Sequence, residues 1–155
     1  KNANYASDKG EYPFFTCAKE ISFAPTYSFE SPAIILAGNG DFNIKRYSGK
    51  FEAYQRTYVL MPFEKKYYNW LYLLMSMNLE NLTMGHRGSV INYLTKDMIS
   101  DFRFLFPVHD ISNELYILDV LFNKIDLNNQ QIQTLQKLRN TLLPKLISGD
   151  VRVKH

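Results

Sequence analysis

Apolar residues along the first 110 positions come in short runs broken by Gly, Pro, Asn and Ser. That is the pattern of short strands and turns with an occasional helix. Tyr12 to Thr16 reads as a strand, and Ala33 to Ala37 is a clearer one, following Pro32 and stopped by Gly38-Asn39-Gly40. Phe42 to Tyr47 and Lys50 to Tyr54 flank Ser48-Gly49, which predicts a hairpin turn there. Thr57 to Met61 is a further β-branched and aromatic run, ended by Pro62. Between Glu64 and Met77 the period lengthens. Tyr67, Leu71, Leu74 and Met75 share a helical face with Trp70 beside them, which predicts a mostly buried helix. Asn78 to Arg87 is polar and irregular. Thr95 suits the N-cap of a short helix over Lys96 to Ser100, and Arg103 to Phe106 reads as a last strand closed by Pro107.

The final third has a different texture. Asn113 to Ile147 contains no glycine and a single proline, Pro144. Ser112 suits an N-cap, and Glu114 suits the positive end of the helix dipole. A 4-3 spacing picks out Leu118, Leu121, Ile125, Asn128, Ile132, Leu135, Arg139, Leu142 and Leu146, apolar except for Asn128 and Arg139. Such a stripe predicts a coiled-coil seam on a helix roughly 50 Å long, which needs a partner helix. Asn128 is the residue type that sets register on a seam, the competing reading being a helix interruption near Asp126 to Asn129. Pro144 should kink or loosen the final turn, and Ser148-Gly149 should stop the helix.

Composition adds bounds rather than a function. A chain of 155 residues, 46% apolar and 21% charged, fits one globular domain. No apolar run is long enough to span a bilayer, and no basic-then-apolar leader opens the chain, so no membrane partner is expected. The chain opens on Lys1 rather than Met, as expected of a piece of a longer protein. A lone cysteine, Cys17, makes no internal disulfide or multi-cysteine metal site, and a reducing, cytoplasmic compartment is expected. The net charge of +3 permits a polyanionic partner without requiring one. Aromatics reach 15%, which fits a β-rich core better than base stacking.

Familiar catalytic patterns fail on their context. Gly38-Asn39-Gly40 follows a strand but opens no helix, so it reads as a tight turn rather than a dinucleotide fingerprint. There is no P-loop, no Asn-Pro-Pro-aromatic tetrapeptide and no G-x-S-x-G serine. Glu64-Lys65-Lys66 lacks the Pro-Asp pair of a nuclease, and His86, His109 and His155 are scattered away from any metal-ligand spacing. No catalysis, metal or cofactor is expected. Cations do cluster: Lys45, Arg46, Lys50, Arg56, Lys65 and Lys66 face only Glu52 and Glu64 over residues 43–66, with Tyr47, Tyr54 and Gln55 among them. Cations contact phosphates, and Arg, Asn and Gln read base edges; an ordinary wet surface is the plain alternative. A second candidate is the Gly85-His86-Arg87-Gly88 loop. Residue patterns alone reach a basic α/β domain carrying a dimerisation helix.

The C-terminus narrows this. Ile132 to Val153, with its Leu142-Leu143-Pro144-Lys145-Leu146-Ile147-Ser148-Gly149 core, resembles the ending of specificity (S) subunits of type I restriction–modification enzymes. Gly10-Glu-Tyr-Pro13-Phe-Phe-Thr is similar to that family's opening strand, and Ile34-Ile-Leu-Ala-Gly38-Asn-Gly40 to its central glycine turn. Thr57-Tyr-Val-Leu, Thr83-Met-Gly85 through Ile91, then Phe102 to Pro107 and Glu114, follow in the family's order. Three features depart from it: one recognition domain and one spacer in place of two, Pro144 inside the last turns, and Glu114-Leu115 where Glu-Gln is usual.

The resemblance implies an α+β (mixed α/β) fold. Residues 1–111 would be a small twisted-sheet target recognition domain, 112–148 a long coiled-coil spacer helix, and 149–155 a tail. It also implies a non-catalytic subunit that reads one half of a bipartite double-stranded DNA site. Such a subunit docks the modification (methyltransferase) subunits, meets the restriction subunit through the complex, and pairs its helix antiparallel with a second half or as a homodimer. Combining this with the residue patterns, the expected DNA contacts are Lys45, Arg46 and Arg56 at the hairpin edge and Asn39 at the glycine turn. His86 and Arg87 join them in the second loop, with Lys50 and Lys96 on phosphates. The expected helix interface is Leu118, Leu121, Ile125, Asn128, Ile132, Leu135, Leu142 and Leu146. Two other classes stay open: a recognition domain of another DNA methyltransferase system, and a protein-interaction module acting through its coiled coil.

Overall fold

The computed structural model describes residues 1–83 and 93–149. They form two compact units, Lys1–Ile111 and a second beginning at Ser112. In the first unit five strands make one sheet: β1 (Tyr12–Phe15), β2 (Ser22–Ala24), β3 (Phe29–Ala37), β4 (Ile44–Ala53) and β5 (Thr57–Leu60). Their spatial order is β2-β1-β4-β3-β5. Only β1 and β4 run parallel; the other neighbours are antiparallel. Residues 15–18 touch both ends of β4. The Phe15 carbonyl accepts from the Tyr54 N–H at 2.9 Å, and Lys45 Nζ reaches the Thr16 carbonyl at 3.4 Å. A flat strand of that length would hold its ends about 30 Å apart, so β4 is bent round rather than straight.

The hairpin expected at Ser48-Gly49 is not there. The chain reverses earlier, through Gly38 to Asn43, and β4 runs unbroken past Ser48 and Gly49. The cause is β3: it extends upstream to Phe29 and pairs with β4 from Leu36↔Ile44 to Phe29↔Phe51, so a turn in mid-strand would break that ladder. Glycine is still needed at position 49, where φ is 141°. Pro32 is tolerated inside β3 because β5 flanks the strand only from Ile34 to Ala37, leaving an open edge where its missing N–H goes unused.

Directly opposed residues share a sheet face, so the register sorts side chains into two layers. Ala33, Ile35 and Phe51 join Phe15 on one face, with Phe29, Tyr47 and Val59 around them. Ile34 and Leu36 lie on the other, under Tyr68 and Met75 of helix α1 (Tyr68–Met77), with Leu82 and Leu94. The expected helix face holds at Leu71 and Met75, which pack into this core, but its start moves from Tyr67 to Tyr68 and Asn69, and Tyr72 packs there rather than Leu74. Lys65–Tyr67 forms a 3-10 turn, wound at about 3.0 residues per turn, so Tyr68 and Asn69 rotate inward and Tyr67 outward. Tyr67 and Trp70 pack edge-on against Phe106, each with ring centroids 5.5 Å apart, and Phe104 sits 5.6 Å from Trp70. That packing replaces the expected strand over Arg103 to Phe106: these aromatics are held by α1 and join no ladder.

Asn78 to Thr83, read as irregular, includes a short helix α2 (Leu79–Thr83), while α3 (Lys96–Asp101) starts where expected. The Thr95 hydroxyl accepts from the Met98 N–H at 3.3 Å, an N-cap. In the second unit α4 runs from Ser112 to Ile147 as 36 continuous residues, with no break near Asn128. It passes through Pro144 and recovers, the Ser148 N–H reaching the Pro144 carbonyl at 2.9 Å. Gly149, at φ 78°, then ends it. Among the described residues no helix is long and apolar enough to cross a membrane.

Candidate nucleic-acid interface

The glycine turn between β3 and β4 gathers four segments. The Gly38 N–H donates to the Arg56 carbonyl at 2.9 Å, and the Leu94 N–H to the Gly38 carbonyl at 2.8 Å. Asn39 bridges to Tyr93, and the Tyr58 hydroxyl donates to the Leu94 carbonyl at 2.8 Å. From the other side the Cys17 thiol donates to the Arg56 carbonyl at 3.3 Å, and Asn43 Nδ2 to the Cys17 carbonyl at 2.7 Å. Between these segments lies a cleft of about 270 Å³, walled by Asn39, Gln55, Arg56, Tyr58 and Tyr93 with Gly38 and Leu94 at its floor. Gly38 is required by space: a Cβ there would lie 2.3 Å from the Arg56 carbonyl oxygen.

The expected contact residues separate sharply. Asn39 and Arg56 come together at this cleft, although 17 positions apart in sequence. Lys45 is near but engaged: its ammonium donates to the Ala18 carbonyl at 2.6 Å and to Asn43 Oδ1. Burial pushes its pKa down, partly offset by Cys17 and Glu20. Arg46 points to the opposite face of the sheet. It donates to Oδ1 of the buried Asn69 at 3.1 Å, with its guanidinium carbon 5.9 Å from the ring centres of Tyr68 and of Tyr72. Lys50 shares that face farther along the strand, 3.8 Å from Glu30 and 4.9 Å over the Tyr27 ring. The hydrogen bond with Tyr27, then the charge of Glu30, raises its pKa. Lys96 is exposed at the start of α3. His86 and Arg87 lie outside the described residues.

Tyr93 was not among the expected residues. Nothing local marks it; an isolated bridge to Asn39, more than fifty residues upstream, brings it to the cleft. Gln55 had a weak signal as a polar residue beside Arg56 between two strands.

In the second unit the heptad stripe is open to solvent on the isolated chain. Leu121, Ile125, Ile132, Leu135, Leu142 and Leu146 are all exposed, Leu135 by 64%. Asn128 is exposed in line with them, and Leu118 is half-exposed.

The first unit is a small mixed sheet presenting a polar cleft, and the second is a long helix whose apolar stripe is exposed. The comparisons specify the family. The chain belongs to the family of type I restriction modification DNA specificity domains, whose family model matches residues 1–137. Over 157 residues it is 38% identical to the type I restriction enzyme EcoDI specificity subunit of Escherichia coli, covering 97% of this chain and 35% of that protein. Over 92 residues it is 33% identical to the type I restriction enzyme MjaIX specificity subunit of Methanocaldococcus jannaschii, covering 59% of this chain and 21% of that protein. The fold matches the crystal structure of a type I restriction–modification S subunit from M. genitalium with a TM-score of 0.74 at 16% identity. That match covers 97% of this chain and 42% of the other. The chain thus spans about a third and a fifth of the length of the two relatives.

Proposed function

We propose that this chain reads one half of a bipartite double-stranded DNA site as part of a type I specificity subunit. The observation that carries the proposal is the match of residues 1–137 to the specificity-domain family, in a chain whose cleft gathers polar side chains suited to base edges. In this reading residues 1–111 are the target recognition domain. Asn39 and Arg56 contact the DNA directly, and Lys50 and Lys96 contact phosphates. His86 and Arg87 belong to a second reading loop. Lys45 and Arg46, already engaged by protein oxygens and aromatic rings, act mainly by adding positive field. The chain itself has no catalytic part and needs no cofactor. Methylation and cleavage belong to modification and restriction subunits that it helps to place.

The spacer is α4. Its stripe from Leu118 to Leu146 pairs antiparallel with a second spacer helix, from a second half or a second copy, and docks the modification subunits. At about 1.5 Å per residue the helix is about 54 Å long, long enough to separate two half-sites.

The test is selection of bound duplexes from a random-sequence DNA library at near-physiological salt. A short enriched motif identifies the half-site, and two copies at fixed spacing add helix pairing. Sequence-blind binding would reduce the chain to a phosphate binder, and no binding at low salt would refute the proposal.

A further inference from the structure

We infer that the two-residue turn Gln55-Arg56 is a base-reading tip, in which Gln55 selects adenine and Arg56 selects guanine at neighbouring base pairs. The inference rests on the DNA-reading proposal above and adds to it a residue, Gln55, and a base preference.

The backbone of this turn is held from every side. The Thr57 N–H donates to the Tyr54 carbonyl at 2.9 Å, closing a tight turn with Gln55 and Arg56 at its centre, and the Thr57 hydroxyl donates to the same carbonyl at 2.6 Å. The Tyr54 N–H is bound by Phe15 and the Gln55 N–H by the Lys1 carbonyl at 2.8 Å, while the Arg56 carbonyl accepts from Gly38 and Cys17. The side chains are the reverse. Gln55 and Arg56 are both exposed, and among the described residues neither has a side-chain hydrogen bond or ion pair. Lys45, Arg46 and Lys50 all do. The backbone of the tip is already ordered, so binding has to fix only the two multidentate side chains.

The chemistry selects the bases. In the major groove guanine offers two acceptors, O6 and N7, to the guanidinium fork. Adenine offers the N7 acceptor and N6 donor that a glutamine amide matches in both senses. A tight turn is narrow enough for a groove roughly 12 Å wide. Each function can be removed separately: lysine keeps the charge of Arg56 without its fork, and alanine at position 55 removes the amide.

The experiment is the random-duplex selection run on the full chain, on Gln55→Ala and on Arg56→Lys at one salt concentration, with circular dichroism to check folding. The wild-type motif is expected to contain adenine beside guanine. Gln55→Ala should lose discrimination at the adenine alone, and Arg56→Lys at the guanine alone, each by roughly 5- to 150-fold. A specific wild-type motif left unchanged by both folded variants would overturn the inference while the DNA-reading proposal stands. So would a uniform weakening across sequences with a salt slope lower by about one, the mark of a phosphate contact. Absence of any wild-type DNA binding would sink both.

Discussion

Gly38→Ala isolates the contact that seats the cleft. An added Cβ would lie 2.3 Å from the Arg56 carbonyl oxygen and 3.2 Å from a ring carbon of Tyr58. The first of these is backbone, so the Tyr54–Thr57 turn must retreat by about 1 Å to restore van der Waals distance. That retreat breaks the 2.9 Å bond from the Gly38 N–H to Arg56 and leaves a buried donor unsatisfied. Overpacking costs about 1–3 kcal/mol and the orphaned donor about 1–3 kcal/mol. The two overlap, and the stiffer unfolded chain returns about 0.4–1 kcal/mol. A net loss of about 2–4 kcal/mol follows, read as a lower urea midpoint at unchanged slope. Gly40 is the control. Its φ is 72°, and nothing lies within 4 Å of a Cβ there. Gly40→Ala therefore suffers only backbone strain, about 1–2 kcal/mol, and Gly40→Asn recovers most of it because asparagine tolerates that conformation. Gly38→Asn should recover nothing. A Gly38→Ala protein as stable as wild type would refute the steric argument and, with it, the rigidity assigned to the Gln55-Arg56 tip.

Other predictions test separate links. Arg46→Ala removes the hydrogen bond to Asn69 and the guanidinium beside the Tyr68 and Tyr72 rings. It should cost about 1–3 kcal/mol in denaturant unfolding while leaving the selected DNA motif unchanged; a lost motif with intact stability would make Arg46 a direct reader. Burial raises the Tyr47 phenol above its ordinary 10.0, so from about that pH upward the unfolded chain gives up its proton first and stability falls. Tyr47→Phe should flatten that alkaline fall in urea midpoints between about pH 9 and 11, and coincident slopes would count against it. Lys45 acts with opposite sign. Its lowered pKa adds stability as pH rises toward 10.5, so Lys45→Met should steepen the fall. Ile132→Lys with Leu135→Lys should abolish concentration-dependent association in sedimentation while far-UV helicity and the half-site motif persist. Association that survives would remove the stripe from the interface.

Much of this molecule follows from local pattern. The helix from Ser112 to Ile147 was legible because its stripe repeats over many turns, and the Thr95 cap and the strands at Tyr12, Ala33 and Thr57 because each is a short-range signal. The family was legible too, and its motifs from Gly10 to Glu114 lie within residues 1–137, which the family model matches. Where the sequence misled, a non-local partner decided. Ser48-Gly49 has turn chemistry, yet β3 pairs straight through it, because a continuous ladder outweighs a turn preference. Phe104 and Phe106 have strand chemistry, yet they pack on Trp70. The basic cluster shows the same division. Strand alternation sends Lys45 and Arg46 to opposite faces, and neighbouring carbonyls and rings engage both, whereas Asn39, Gln55, Arg56 and Tyr93 meet only through backbone bonds between distant segments. Residue type and spacing set which groups are available for recognition. Which of them stay uncommitted, and on which rigid tip, depends on long-range pairing that no local window contains.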